Sequence, residues 1–246
     1  MTLGFILAVL AGTAAGGFVS GVSGFAFGMI ALSVWAWALD PRLVSPMIVF
    51  GSLVGQLVSL GGMRRTLAWR RLLPFLIGGV IGVPIGVWLL GSIDFRLFRG
   101  ITGTVLIVYA TGMLLLRELP PLDHGGRLAD GVVGLIGGVM GGLAGLSGPV
   151  PVLWCTLRRW ERDAQRAVFQ SFNTAMHVMT LASYAANGLL TARVGWVFAL
   201  MLPALLLPTW LGIKLYRRIS EAAFRRLILF LLLGSGCVLV GTSVLG

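Results

Sequence analysis

Two short segments rich in glycine and proline are the first places where this sequence could do chemistry. They read GVSGFAFG at 21–28 and GLSGPVP at 145–151, and each lies inside a long apolar run. Glycine and proline interrupt helical hydrogen bonding, and the helix that starts after a break presents free N–H groups and a positive dipole end. Such ends attract anions. We therefore predict an anion-binding site at Ser23, Gly24, Phe25, Ser147, Gly148 and Pro149. The competing interpretation is close helix packing through small residues.

One face of a predicted helix after residue 158 is the next candidate. Arg166, Gln170, Asn173 and His177 follow one another at spacings of four, three and four. Residues at these spacings share a helical face, and polar groups in an apolar helix tend to face the bundle interior. We predict that Arg166, Gln170 and Asn173 line the path of an anion. Arg166 is explained equally well as an ordinary positive charge at a cytoplasmic helix end.

His177 and Gln56 are predicted to add polar lining to the same interior, one from each half of the chain. A histidine titrates near neutral pH, so His177 is also a candidate for carrying a coupling proton. The alternative is a histidine that makes one interhelical hydrogen bond and does not titrate in function.

Other kinds of chemistry find little support. The acidic residues fall in loops or near helix ends, which favours an anionic or neutral cargo over a cation. Residues 147–151 lack the GK[ST] ending of a phosphate-binding loop. The pattern contains no nucleophile–base pair, paired carboxylates or metal-ligand cluster, so we expect no enzyme, no cofactor and no metal.

The elements that position these residues must be membrane helices. The chain has 246 residues, of which 57% are hydrophobic and 11% charged, and its mean hydropathy is +0.96. A soluble domain is about 25% charged. About ten apolar runs, most of them long enough to span a bilayer, predict an all-α integral membrane protein with 8 to 10 hydrophobic segments. The runs at 26–39 and 149–157 are shorter than the others, and each follows one of the two breaks. Each short run is therefore predicted to form a broken hairpin with the run before it.

An offset of 124 residues aligns the two breaks, and also places Arg42 on Arg166 and Pro84 on Pro208. This indicates two repeats, at 1–116 and 128–246, joined by a linker at 117–127. Four clusters at 63–71, 117–127, 158–166 and 214–226 hold 15 of the 19 basic residues. The positive-inside rule places them in the cytoplasm, which puts both termini outside and makes the repeats inverted. The basic charge is then topological, and no nucleic acid partner is predicted.

Three stretches resemble the TauE/SafE family of sulfite exporters: GGFVSGVSGFAFG at 16–28, GGLAGLSGPVPVLW at 141–154 and RAVFQSFN at 166–173. The first departs from the GIGGG form common in that family. The resemblance implies a bacterial inner-membrane protein that exports sulfite, sulfoacetate or another organosulfonate. Together with the paired breaks it predicts a secondary transporter that works by alternating access. The alternatives are a passive anion channel and a scaffold or assembly subunit. The lipid bilayer and the anion are the expected partners, and a homodimer is one expectation for assembly.

Overall fold

The computed structural model describes residues 2–23, 26–36, 39–60, 69–115, 122, 125–215 and 221–245. For 59–60, 162–163, 166, 221–225, 227 and 245 it describes the backbone alone. All secondary structure in this part of the chain is helical. The helices are α1 Leu3–Ser23, α2 Phe27–Trp35, α3 Pro41–Leu60, α4 Trp69–Ser92, α5 Phe95–Leu115, α6 Gly126–Ala144, α7 Pro149–Leu157, α8 Arg162–Ala186, α9 Ala192–Leu215 and α10 Glu221–Leu245.

Six of these helices are long and apolar enough to cross a membrane, namely α1, α3, α4, α5, α6 and α9. The prediction of an all-α integral membrane protein is therefore confirmed. α8 has 25 residues, which is sufficient length, but it carries more polar side chains than the other long helices. Gln170, Asn173 and His177 on this helix are all buried, so the polar face of α8 points into the bundle as predicted.

Both short helices fold back along the helix before them, as the broken hairpins require. In the first hairpin the Trp35 indole N–H, at the end of α2, donates to the Ala8 carbonyl near the start of α1, at 2.9 Å. In the second, the Trp154 indole N–H in α7 donates to the Asp130 carboxylate in α6, at 2.7 Å. Asp130 lies one turn inside α6 and is buried, so it secures the hairpin rather than facing solvent at the helix start.

Rows of glycine bring α4 against α6 and α1 against α9 at backbone distance. A side chain at any of these glycines would collide with the facing backbone, so the small residues are required by packing. The facing pairs in α4 and α6 are Gly78 with Gly131, Gly82 with Leu135, and Gly86 with Val139. The numbers rise together, so the two helices run parallel. In α1 and α9, Gly17 faces Leu205 and Gly21 faces Thr209, so this pair is parallel as well.

The contacts between helices follow the proposed repeat. In the proposed repeat, α1 to α5 correspond to α6 to α10. The contact of α4 with α6 then corresponds to that of α9 with α1, and the contact of α4 with α8 corresponds to that of α9 with α3. All four contacts are present. α5 and α10, which are mates under this rule, pack on each other. Their contacts run in opposite order, with Gly100 near Ser243, Gly103 near Leu239 and Gly236 near Ile107. The two mates are thus antiparallel, as an inverted repeat requires.

Three arginines that belong to none of the four basic clusters lie at one end of the bundle, where α1 begins and α2 ends. Arg42 donates to the Gly91 carbonyl and Arg99 to the Ala36 carbonyl, each at 2.9 Å, and Arg193 lies over the Phe5 ring. At the opposite end, Arg71 and Arg158 lie over the ring of Trp160. These two groups of arginines therefore lie at opposite ends of the bundle, while the assignment of one end to the cytoplasm stays a prediction.

Candidate functional site

The break in the second hairpin is a well-formed helix end followed by a new helix start. Gly145 follows α6 with a left-handed φ of +70°, a conformation that glycine adopts without strain. The Gly145 N–H donates to the Gly141 carbonyl at 2.8 Å, and the Leu146 N–H donates to the Met140 carbonyl at 3.2 Å. α7 then begins at Pro149. The predicted interruption at 145–149 is confirmed.

Side chains from two other helices satisfy three further carbonyl groups at the end of α6. The Tyr184 hydroxyl donates to the Gly142 carbonyl at 2.6 Å, and the Ser45 hydroxyl donates to that of Leu143 at 2.7 Å. The Nε2–H group of His177 donates to the Gly145 carbonyl at 3.3 Å. Unsatisfied carbonyls at a helix C-terminus would attract a cation. Here the carbonyls of Gly142, Leu143 and Gly145 are occupied by protein donors.

The start of α7 is arranged in the opposite way. Gly148 precedes the helix, and no side chain caps the free N–H groups there. Pro149 and Pro151 carry no N–H, so Val150 supplies the single N–H of the first three positions. Fewer backbone donors are available than the break suggested from sequence. The positive dipole end remains uncapped and open to a ligand.

Three polar side chains around this break have buried atoms without hydrogen-bond partners. They are the Ser147 Oγ, the Asn173 Oδ1 and the His177 Nδ1, on residues that are 0%, 2% and 3% exposed. Leaving such groups unpaired costs about 1–3 kcal/mol each. A cluster of them beside a helix start is consistent with a site that a ligand completes.

Asn173 and His177, but not Ser147, also line a small pocket of about 10 Å³ at the break. The first half of the chain supplies Gly28, Met29 and Ser52, and the second half supplies Gly145, Leu146, Gly148 and Pro149. Gly28 and Met29 belong to the first turn of α2, which no side chain caps. The starts of both short helices, α2 and α7, therefore border the same pocket. The described lining residues include neither Lys nor Arg.

The first break contributes less directly than the second. The Ser23 hydroxyl donates to the Val19 carbonyl at 2.8 Å and accepts a bond from the Ala26 N–H at 3.2 Å. Ser23 thus occupies the turn between α1 and α2, and it is not among the described lining residues of the pocket. Gly24 and Phe25 lie outside the described residues. The side chain of Arg166 is also outside the described part of the chain, although the Arg166 backbone belongs to α8.

Gln56 and Gln170 form a second buried polar group with Thr174. The Thr174 hydroxyl lies 2.8 Å from the Gln56 Oε1 and 2.8 Å from the Gln170 carbonyl oxygen. The Gln56 Nε2 and the Gln170 Oε1 have no partner. Because Gln170 precedes Asn173 by one turn, this group extends the polar face of α8 from the pocket toward the helix start.

Several residues at this site were not predicted from the sequence. Ser52 and Met29 line the pocket, and Tyr184 and Ser45 cap α6. A signal existed for Tyr184, because Thr180 and Tyr184 continue the face of Asn173 and His177 at spacings of three and four. Ser52 lies one turn before Gln56 on α3. Met29 and Ser45 carry no such signal.

The geometry suits the binding of a small ligand. Among the described residues, no group of three or more His, Cys, Asp or Glu could hold a metal ion. The site offers hydroxyl and amide groups, a histidine, an uncapped helix start and apolar walls. These features suit reversible binding of a small anion.

Comparison with known proteins places the chain in a family. Residues 8–239 match the family model described as sulfite exporter TauE/SafE. The chain belongs to the TauE/SafE family. A curated relative from Cupriavidus necator, described as a probable sulfite/organosulfonate exporter TauE, is 29% identical over 233 residues. The match covers 92% of this chain and 90% of that relative. No solved structure matches the chain. TauE/SafE membership supports the role of a membrane transporter for anions.

Proposed function

We propose that the chain is a secondary transporter that exports sulfite or a small organosulfonate from the bacterial cytoplasm. The observation that carries the proposal is the convergence of two uncapped helix starts, α2 and α7, on one pocket. Inverted repeats with broken helices near the membrane midplane are a common arrangement around a transporter's substrate. The curated relative bears a sulfite/organosulfonate name, which is consistent with this cargo.

The pocket combines surfaces from both halves, which supports alternating access. Residues 1–116 would supply α2 and α3, and residues 128–246 would supply the α6–α7 break and α8. Rocking of one half against the other would then open the pocket to one side of the membrane at a time. The linker at 117–127 lies between them, and both termini face the periplasm in this arrangement. His177 is placed to respond to a proton, because one ring nitrogen holds Gly145 and the other has no partner.

Flux measurements in proteoliposomes test the proposal. Purified protein is reconstituted, and uptake of radiolabelled sulfite is measured with and without an imposed pH gradient. We expect saturable uptake that the gradient stimulates and that stops when Asn173 is replaced by Leu. Ala is substituted for Ser92, an exposed residue at the end of α4, as the control that retains flux. Flux that is neither saturable nor gradient-dependent would indicate a channel, and the absence of flux would favour a scaffold role.

A further inference from the structure

We propose that the pocket selects singly charged sulfur oxyanions, in particular hydrogensulfite, over dianions such as sulfate and the fully deprotonated form of sulfite. The proposal rests on the proposed function, because it concerns the charge of the cargo at the same pocket. Sulfite exists near neutral pH both as a dianion and as the protonated monoanion, so the two forms compete for the site.

The positive charge available at the pocket is small. An uncapped helix start is equivalent to about half an elementary charge, so α2 and α7 together supply about one. The opposing negative end of α6 is covered by the hydroxyl of Tyr184, the hydroxyl of Ser45 and the ring of His177. No Lys or Arg is among the described lining residues. With His177 neutral, one negative charge is therefore balanced.

Two described arginines near the second hairpin, Arg71 and Arg158, contact an aromatic ring away from the pocket. Arg71 and Arg158 lie over Trp160 at the end of the bundle, 5.0 and 5.9 Å from its ring centre. Arg166 lies seven residues before Asn173 on α8, which is about 10 Å along the helix axis. These positions suit attraction of an anion to the bundle end. Arg71 and Arg158 add no charge to the described pocket wall.

A second negative charge would then be buried without compensation. The cost of transferring an ion from water to a low-dielectric site grows with the square of its charge, and even one uncompensated buried charge costs several kcal/mol. The apolar part of the pocket wall, which includes Met29, Leu146 and Pro149, strengthens this penalty. A dianion loses more hydration free energy than a monoanion, and the two helix starts compensate only half of its charge.

The unpaired atoms of the pocket also favour a protonated anion. Since the Nε2 of His177 carries the proton donated to Gly145, the Nδ1 of the neutral ring is an acceptor. The Asn173 Oδ1 is an acceptor too, and neither atom has a partner. A sulfite dianion has no hydrogen to donate to them. Hydrogensulfite has one, so it can satisfy one of these two acceptors.

A competition panel in proteoliposomes tests the charge preference. Initial rates of radiolabelled sulfite uptake are measured at constant pH and ionic strength with methanesulfonate, a permanent monoanion near neutral pH, or with sulfate, a dianion. We expect methanesulfonate to inhibit at a concentration at least about tenfold lower than sulfate. Inhibition by methanesulfonate that is no stronger than inhibition by sulfate overturns the proposal.

A pH series provides an independent measure. The KM for total sulfite should rise with pH as the monoanion is depleted, while the inhibition constant of methanesulfonate, whose charge is fixed, reports any titration of the protein. A KM that falls as pH rises, after that correction, contradicts the preference. If sulfite is not transported at any pH, the proposed function itself fails. The charge preference is then decided by thermal stabilisation of the purified protein, where methanesulfonate must stabilise more than sulfate.

Discussion

The hydroxyl of Tyr184 donates a hydrogen bond of 2.6 Å to the carbonyl oxygen of Gly142, one turn before the break between α6 and α7. Ser45 does the same for the next carbonyl, that of Leu143. These two bonds come from α8 and α3, so both halves of the chain contribute to closing the negative end of the broken helix. The positive electrostatic character of the site follows from this capping, because the negative end of α6 is covered and the positive end of α7 is not.

Removal of the Tyr184 hydroxyl should destabilise the break. The substitution Tyr184→Phe leaves the buried Gly142 carbonyl without its donor, at a cost of about 1–3 kcal/mol. Thermal unfolding in detergent measures the loss. Ser45→Ala should cost a similar amount, and the double variant should show coupling, because the two donors serve neighbouring carbonyls. Wild-type stability of Tyr184→Phe would mean that another group satisfies the carbonyl.

Ser147 should contribute to anion binding through its hydroxyl. The side chain is fully buried and has no partner at Oγ, so Ser147→Ala removes a donor without adding bulk. A hydrogen bond to a charged group is worth about 1.5–3 kcal/mol, so KM for sulfite should rise about ten- to a hundredfold. Ser92→Ala, at an exposed position, is the matched control. Ser147→Leu should abolish transport, although its side chain also meets α6 at Gly141.

The glycines of the break should tolerate no side chain. Gly145→Ala places a Cβ on a residue with φ of +70° and within 2.6 Å of Ile48, and the conformation alone costs about 1–2 kcal/mol. Gly148→Ala brings its Cβ to 2.8 Å from the Asn173 Nδ2 and should reduce transport by displacing that side chain. Gly91→Ala is the control, because no atom lies within 4 Å of the added carbon. Equal transport rates in the Gly148 and Gly91 variants would remove Asn173 from the site.

His177 should couple transport to the proton gradient. In His177→Gln the side-chain amide can still donate to the Gly145 carbonyl, but the side chain no longer titrates. We expect the stimulation of sulfite uptake by a pH gradient to disappear, while sulfite–sulfite exchange without a gradient is reduced less. The ratio of the two rates is the measurement. An unchanged ratio would show that His177 serves as a fixed hydrogen-bond donor.

The orientation in the membrane can be tested with single cysteines. Ala first replaces both native cysteines, the buried Cys155 and the exposed Cys237. A membrane-impermeant maleimide added to intact cells should label a cysteine at position 193, which is exposed near the start of α9. It should not label positions 64, 65 or 218, which lie outside the described residues, unless the cells are permeabilised. The reverse pattern would invert the orientation.

Much of the fold was predictable because membrane helices can be recognised in a sequence by their length and low polarity. The run at 149–157 predicted α7 with its observed bounds. Charge separation predicted the antiparallel relation seen between α5 and α10. These features depend on local composition or on counts along the chain, which a single sequence contains.

The site was predictable only in part, because its lining depends on which helices meet. The sequence pointed to Gly148 and Asn173, and it could not show that Ser52 and Met29 line the same pocket. Ser23 and Ser147 occupy equivalent places in the repeat yet differ in the structure. The Ser23 hydroxyl bonds to its own helix, whereas that of Ser147 is unpaired. Hydrogen bonding of this kind depends on side-chain direction, which spacing does not determine.

The antiparallel packing of α5 on α10 has the character of an isologous interface, the kind that joins identical subunits about a twofold axis. Under the proposed duplication, the chain is a fused dimer of two half-length units that enter the membrane from opposite sides. Each unit contributes one of the two short helices whose starts border the pocket. Neither unit owns a complete binding site, so the linker at 117–127 keeps together two halves that can bind the anion only as a pair.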